Sequence, residues 1–253
     1  MGKIIAVANQ KGGVAKTTTC VNLTAALSRR GKKVLLIDAD PQGNASSGMG
    51  VSKSSTRNTY AMMMQNVPAE ECIIKTEWGD VIPAGKDLAA ASLEIAAEEE
   101  REYILKKAVL PIKMDYDYIF IDCPPSLELL TINALVAADT VMIPMQCEYY
   151  ALEGITDLIT SIKLCNKKLN RSLGIEGIVL TMYDSRMNLT NQVAQELRKY
   201  LGSRVYDTVI PRSIRLSEAP SHGMPGIIYD KSNKGSKAYI ALADEIIEKN
   251  GRR

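Results

Sequence analysis

The chain has 253 residues, 46% hydrophobic and 24% charged, with a formal net charge of +2 at pH 7; this is ordinary globular composition with enough apolar material for a large core. No apolar run approaches the roughly 20 residues that a membrane helix needs, which excludes a spanning role. Five cysteines without a C-x-x-C pair, and a Lys3 followed by only a short apolar run, argue against a disulfide framework and a secretion signal, so reduced thiols in a cytoplasm are expected.

In chain order, the apolar run 3–8 opens onto Asn9-Gln-Lys-Gly-Gly-Val-Ala-Lys-Thr-Thr-Thr19. A helical pattern follows and stops cleanly, with Arg29 and Arg30 in its last turn and Gly31 as the C′ residue. The run 34–38 ends on Asp38, with Asp40 close behind in a Pro/Gly turn. Met62-Met63-Met64 reads as adaptable packing rather than a functional patch. The run 118–122 ends on Asp122 and is followed by a run at 140–145. Helical periodicity then passes through Ile155, Leu158, Ile159, Ile162 and Cys165. A run at 178–182, the periodicity Leu189, Val193, Leu197 and Tyr200, a sixth run at 205–210 and the periodicity Tyr239, Ala243, Ile246 and Ile247 complete the chain. Strands alternating with helices predict an α/β fold, a three-layer α/β/α sandwich on a mostly parallel sheet, in one domain over residues 1–253. Such sheets take ligands at the carboxyl ends of their strands.

The loop 9–19 reads as a nucleotide-phosphate cradle. The usual pattern Gly-x-x-x-x-Gly-Lys-[Ser/Thr] wants glycine where Gln10 and Ala15 stand, yet the chemistry survives. Gly12 and Gly13 let N–H groups turn toward an anion, the helix starting near Lys16 points its positive end there, and Lys16 adds a mobile cation. Thr17 has the hydroxyl expected on a Mg²⁺ ion bridging phosphates. Lys11 has no role in an ordinary loop and needs a separate explanation.

Three more segments end strands near this loop. In Leu35-Leu-Ile-Asp-Ala-Asp-Pro-Gln-Gly-Asn44 an apolar strand runs into two carboxylates. Ile119-Phe-Ile-Asp-Cys-Pro-Pro-Ser126 has the form of a Walker B segment that orders Mg²⁺ through its water shell. The third is Val209-Ile-Pro-Arg-Ser-Ile-Arg-Leu-Ser-Glu-Ala-Pro220. A strand-end Asp is often a helix cap and Pro-Pro often a loop, but the four segments together and in this order argue for one site. Charge is uneven as well: residues 1–149 carry 15 Lys+Arg against 18 Asp+Glu, and residues 150–253 carry 16 against 11. Alone, the basic second half reads as plain solubility sooner than as a surface for a polyanion.

These segments, with Gln146-Cys-Glu-Tyr-Tyr-Ala-Leu-Glu153 and Arg215-Leu-Ser-Glu-Ala-Pro-Ser-His222, carry a resemblance to the ParA/Soj family of partitioning ATPases. That family lies within the deviant-Walker class of P-loop NTPases that also holds MinD and the nitrogenase iron protein. The resemblance covers nearly the whole chain. It implies that ATP and Mg²⁺ bind at Lys11, Gly12, Gly13, Val14, Ala15, Lys16, Thr17 and Thr18. Lys11 would reach across a two-fold axis to the partner's ATP, Lys16 would hold the β- and γ-phosphates, Thr17 the Mg²⁺ and Thr18 the α-phosphate. Asp40 would orient the attacking water, so Asp40, Lys11 and Lys16 form the catalytic set, and Asp38 and Asp122 would support the metal through water. Pro211 and Ser213 fall where the family grips adenine, although asparagine is usual at the second position. Glu148 matches a residue that contacts the partner's nucleotide. Ala15 stands where the family has glycine, a departure that costs roughly 1–2 kcal/mol if the residue takes φ > 0.

The resemblance further implies a homodimer when ATP-bound and nonspecific double-stranded DNA binding through Arg186 and Arg215. It also implies stimulation by a ParB-like centromere-binding protein, and a cytoplasmic, nucleoid-associated location. A MinD-like membrane ATPase needs a basic amphipathic C-terminus, and Ile246-Ile-Glu-Lys-Asn-Gly-Arg-Arg253 offers little apolar surface after Ile247, so no stable membrane association is expected. An iron-protein-like reductase would need cysteines around a shared cluster, with Cys123 the nearest candidate; Cys123 reads as packing. His222, the sole histidine, lies in a Ser/Gly/Pro turn and reads as structural or as part of the DNA-side loop.

Overall fold

Five of the six apolar runs form parallel strands, because Val, Ile, Leu and Phe at successive positions can be buried on both sheet faces. The computed structural model describes residues 2–148 and 151–251. Its seven strands are β1 (Lys3–Val7), β2 (Val34–Asp38), β3 (Ile74–Thr76), β4 (Gly79–Ile82), β5 (Tyr118–Asp122), β6 (Thr140–Gln146) and β7 (Gly174–Thr181), in the order β3-β4-β2-β5-β1-β6-β7. All neighbours are parallel except β3 and β4. Alternate residues of each central strand enter different cores. Ile4, Ala6, Leu35, Ile37, Ile119 and Ile121 pack under the helices Leu129–Ala137, Ala151–Lys168 and Asn188–Leu201. Ile5, Val7, Leu36 and Phe120 pack under Lys16–Ser28 and Lys234–Gly251. The result is the expected three-layer α/β/α sandwich.

The helix Lys16–Ser28 ends with Arg29 as its cap, and Gly31 takes the left-handed turn at φ 75°. Met62 and Met63 are buried in the core, and Met64 packs partly buried against it.

Two sequence expectations change. The run 205–210 is not a strand. It meets β7 at its two ends and not between them: Tyr206 N donates to Ile178 O (2.9 Å) beside the isolated bridge Ile178–Val205, and Ile210 N donates to Leu180 O (2.8 Å), with a second bridge, Tyr183–Pro211, just beyond. Its ladder is interrupted because the N–H groups of Asp207 and Thr208 donate to the Glu245 carboxylate (2.9 and 3.0 Å), while the Arg198 guanidinium donates to the carbonyls of Tyr206 and Asp207. Side chains have taken the groups a strand would need. The hairpin β3–β4 was not anticipated, since Lys75, Glu77 and Asp80 give it the look of a polar loop. Gly79 at φ 126° makes its turn, with Thr76 Oγ1 donating to the Gly79 carbonyl at 2.6 Å. Among the described residues no helix is long and apolar enough to cross a membrane.

Candidate nucleotide site

The site lies at the carboxyl ends of β1, β2, β5 and β6, where the strand register brings its carboxylates together. Val7 and Asp38 each stand beside Asp122 in the ladders β1–β5 and β2–β5. Asp38 and Asp122 therefore sit on adjacent strands, both fully buried.

The loop before the first helix is shaped by two left-handed residues, Gly13 at φ 74° and Ala15 at φ 68°, ψ 32°. The positive φ considered for Ala15 from its sequence position is thus present in the backbone. Side chains secure the loop's carbonyls. Gln146 Nε2 donates to Gly13 O (2.8 Å), Thr181 Oγ1 to Val14 O (3.0 Å), and Lys16 Nζ to Lys11 O (3.2 Å). Asn9 braces the start, its amide donating to Pro144 O (2.8 Å) and its oxygen accepting from Lys11 N (3.0 Å). The first helical bond runs from Thr19 N to Ala15 O at 2.9 Å. With the carbonyls tied inward, the N–H groups of the helix start are the donors left for an anion. Gln146, Thr181 and Asn9 were missed as loop supports. Asn9 and Gln146 stood inside segments already singled out, and Thr181 gave no signal beyond its place in a strand run.

Lys16 is buried, and burial, opposed by the charges of Asp122, Cys123 and Asp40, lowers its pKa. Thr17 Oγ1 donates to Asp122 Oδ2 (2.7 Å), and Cys20 Sγ approaches Asp122 Oδ1 at 3.5 Å. Asp38 accepts from Ser46 N (2.8 Å) and Ser46 Oγ (2.6 Å), and from Asp40 N (3.2 Å). Asp40 is buried too and accepts from Gln42 N at 2.9 Å. Burial raises the pKa of both Asp38 and Asp122, the three carboxylates adding mutual repulsion that the hydrogen bonds only partly offset. Two carboxyl groups buried side by side, with a threonine hydroxyl on one of them, are oxygen groups of the kind a hard divalent cation takes.

Lys11 is placed differently. Its ammonium leaves the loop's inner face and pairs with Glu148 of the same chain, both side chains about half exposed. Pro211 and Ser213 follow the Tyr183–Pro211 bridge. The Ser213 hydroxyl caps the short helix Ile214–Glu218 and donates to Asn233 Oδ1 at 2.8 Å, so it already has a structural task. Cys123 is buried behind the site, its thiol on the Ile121 carbonyl at 3.7 Å. Tyr149 and Tyr150 of the Gln146–Glu153 segment, and Arg252 and Arg253 at the chain end, lie outside the described residues.

Arg186 and Arg215 are exposed and each already pairs within the chain. Arg186 donates to both oxygens of Asp184 (2.9 and 2.7 Å), which holds that carboxyl down at about 2, the charge of Arg212 contributing. Arg215 pairs with Glu218 at 2.9 Å and approaches Asp230 at 3.7 Å. Arg212 is a third exposed cation on this side that the sequence reading did not single out. His222 stacks on Tyr229 with ring centroids 4.8 Å apart.

The AAA domain family model matches residues 2–175. The sporulation initiation inhibitor protein Soj of Bacillus subtilis is 54% identical over 249 residues, covering 97% of this chain and 98% of that one. The chain belongs to the ParA/Soj family of partitioning ATPases. The chromosome partitioning protein ParA of Myxococcus xanthus, another member, is 47% identical over 253 residues, covering 99% of this chain and 89% of its own. Among solved structures, cobyrinic acid a,c-diamide synthase of Mycobacterium smegmatis, crystallised with ADP and magnesium, superposes with a TM-score of 0.84 at 33% identity. That match covers 100% of this chain and 97% of the other.

Proposed function

We propose that this single ParA-type domain, residues 1–253, hydrolyses ATP with Mg²⁺ to drive DNA partitioning. Two ATP-bound subunits form a face-to-face dimer that binds double-stranded DNA without reading sequence, and hydrolysis separates the subunits and releases the DNA. The observation that carries this reading is the division of labour between the two loop lysines. Lys16 already lies in the cradle at the helix start, while Lys11 projects outward, held only by an exposed pair with Glu148. A cation so placed is available to the phosphates of a second subunit, and the Glu148 pair is what it gives up to reach them.

The loop N–H groups and Lys16 bind the β- and γ-phosphates, and Thr18 the α-phosphate. Thr17 directly, and Asp38 and Asp122 through water, would hold Mg²⁺, whose charge offsets that of the phosphates. Asp40, on the turn after β2, orients the water that adds to the γ-phosphorus as the bond to the β–γ bridging oxygen breaks. With a single buried carboxylate aiming the water, basal turnover is slow. A ParB-like partner accelerates it. Pro211 and Ser213 flank the base, with the Ser213 hydroxyl already engaged.

Each monomer offers few cations, and a symmetric dimer doubles Arg186 and Arg215 on one face, which makes ATP-dependent dimerisation a DNA-binding switch. Both arginines must leave acidic neighbours to meet phosphate, which favours weak and salt-sensitive contact. The location that follows is cytoplasmic and nucleoid-associated. A MinD-like membrane reading is disfavoured because Ile246 is fully buried and Ile247 packs against the core, leaving the last helix without a free apolar face.

The test is DNA retention and sedimentation with ATP, with ADP and without nucleotide, for the parent chain and for Asp40→Ala. Retention and a dimer with ATP alone, and a trapped DNA-bound dimer in Asp40→Ala, are expected. Equal retention with ADP and ATP would remove the switch, and a rapidly cycling Asp40→Ala would remove Asp40 from its role.

A further inference from the structure

The methionine run is not used by the nucleotide site, and packing in the core does not account for all of its surface. All three line a cleft of about 640 Å³, Met62 and Met63 from the core at 3% and 5% exposed and Met64, only partly buried, sharing the floor with Ile104 and Pro111. Beside this cleft, on the 3₁₀ segment Leu110–Asp115, Leu110 and Met114 are 60% and 65% exposed. Three carboxylates, Glu70, Glu98 and Glu99, line it, and none has a hydrogen-bond or ion-pair partner among the described residues. The one basic residue in the lining, Lys107, is already paired with Glu100 at 2.5 Å. The cleft therefore joins an adaptable apolar floor to a rim of unpaired negative charge.

We infer that this cleft docks a basic amphipathic helix of a partner protein. Unbranched thioether side chains adjust to whatever apolar residues a helix presents at i, i+3 and i+4. The volume is that of a pocket that takes a few anchor side chains, not a folded domain. Unpaired carboxylates select lysine and arginine on the flanks of that helix, and they repel nucleic acid and anionic lipid. The surface is formed by the helices Thr59–Met64, Ala69–Cys72 and Ile104–Val109 with the acidic stretch after Leu88–Ile95. Neither Lys11 nor the paired arginines of the proposed DNA face contribute to it, so the cleft is separate from the residues proposed for nucleotide and DNA.

The test uses the full chain and a synthetic helical peptide of leucine and lysine, about 14 residues or some 21 Å long. A control peptide of the same charge carries serine in place of each leucine. Fluorescence anisotropy gives affinity, and amide hydrogen exchange gives location. Saturable binding of the leucine peptide, protection confined to residues 59–72 and 98–114, and no protection by the control are expected. The exposed triple variant Glu70→Gln/Glu98→Gln/Glu99→Gln, which leaves the floor intact, should weaken binding about tenfold, as three surface ion pairs of ordinary size would. Met64→Ser should weaken it with the charges unchanged, and an unaltered Tm in each variant shows that the fold is kept. Equal affinity for the two peptides, protection elsewhere, or unchanged affinity in the triple variant would overturn the proposal. So would self-association of the chain through Leu110 and Met114, which would make a second copy the occupant.

Discussion

Ala15 holds a conformation that glycine adopts freely and alanine does not. At φ 68°, ψ 32° its methyl crowds the following carbonyl, a strain of roughly 1–2 kcal/mol. Ala15→Gly removes that strain but loosens the unfolded chain, an opposing effect of roughly 0.4–1 kcal/mol. The net expectation is stabilisation by about 0.5–1 kcal/mol, about 1–4 °C in Tm for a chain of this size. Ala15→Val should move the other way by about 2 kcal/mol or more, because a β-branched residue is a true outlier in this region. Thermal unfolding of the three nucleotide-free proteins, followed by circular dichroism, orders them Gly above Ala above Val. A lower Tm for Ala15→Gly, or an unchanged one for Ala15→Val, would refute a strained loop. ATP affinity and dimerisation of Ala15→Gly extend the comparison, and values equal to the parent's would show that the methyl matters to folding alone.

Asp122 has its pKa pushed up to about 8 and Asp38 to about 6, burial being the chief cause in both. A raised folded pKa means stability present at low pH and lost as pH rises through that value, so the metal-free protein should lose stability between about pH 4 and pH 8. Asp122→Asn should flatten this dependence and stabilise the ligand-free chain at pH 8 by about 1–3 kcal/mol while abolishing ATPase activity; urea unfolding across pH checks the first and phosphate release the second. Gly177→Ala would place a Cβ 2.3 Å from the fully buried Tyr206 ring and should cost about 2–3 kcal/mol, read as a lower urea midpoint. Glu245→Ala leaves the N–H groups of Asp207 and Thr208 without their acceptor and should cost about 1–2 kcal/mol, with faster amide exchange at those two positions. Arg215→Ala should lower the slope of log DNA affinity against log salt by about one per subunit, equally for unrelated sequences.

Much of this was legible because it is local. Strands such as Ile119-Phe-Ile-Asp122 announce themselves by apolar runs that end on a carboxylate, and the phosphate loop by its two glycines, Lys16 and Thr17. The demand for positive φ at Ala15 was readable because glycine belongs in that place. What was hidden depends on distant residues. The run 205–210 has strand composition, and only Glu245, 38 residues from Asp207, diverts its N–H groups. The hairpin β3–β4 is short and half-exposed, so its charges masked it. No spacing along the chain could show that Asp38 and Asp122 stand side by side, because the pairing of β2 with β5 sets that register. Nor could it show that Arg186 and Arg215 are each occupied by an acid of their own subunit.

The braces on the phosphate loop have a kinetic consequence. Gln146 and Thr181 lie on the terminal residues of β6 and β7, so the shape of residues 11–15 is completed when the sheet forms rather than when nucleotide arrives. A ligand entering such a loop has no segment to wait for. Its association rate should be set by diffusion and charge, with little temperature dependence, and a slow phase in a stopped-flow trace is then expected only from the proposed meeting of two subunits, so it should scale with protein concentration.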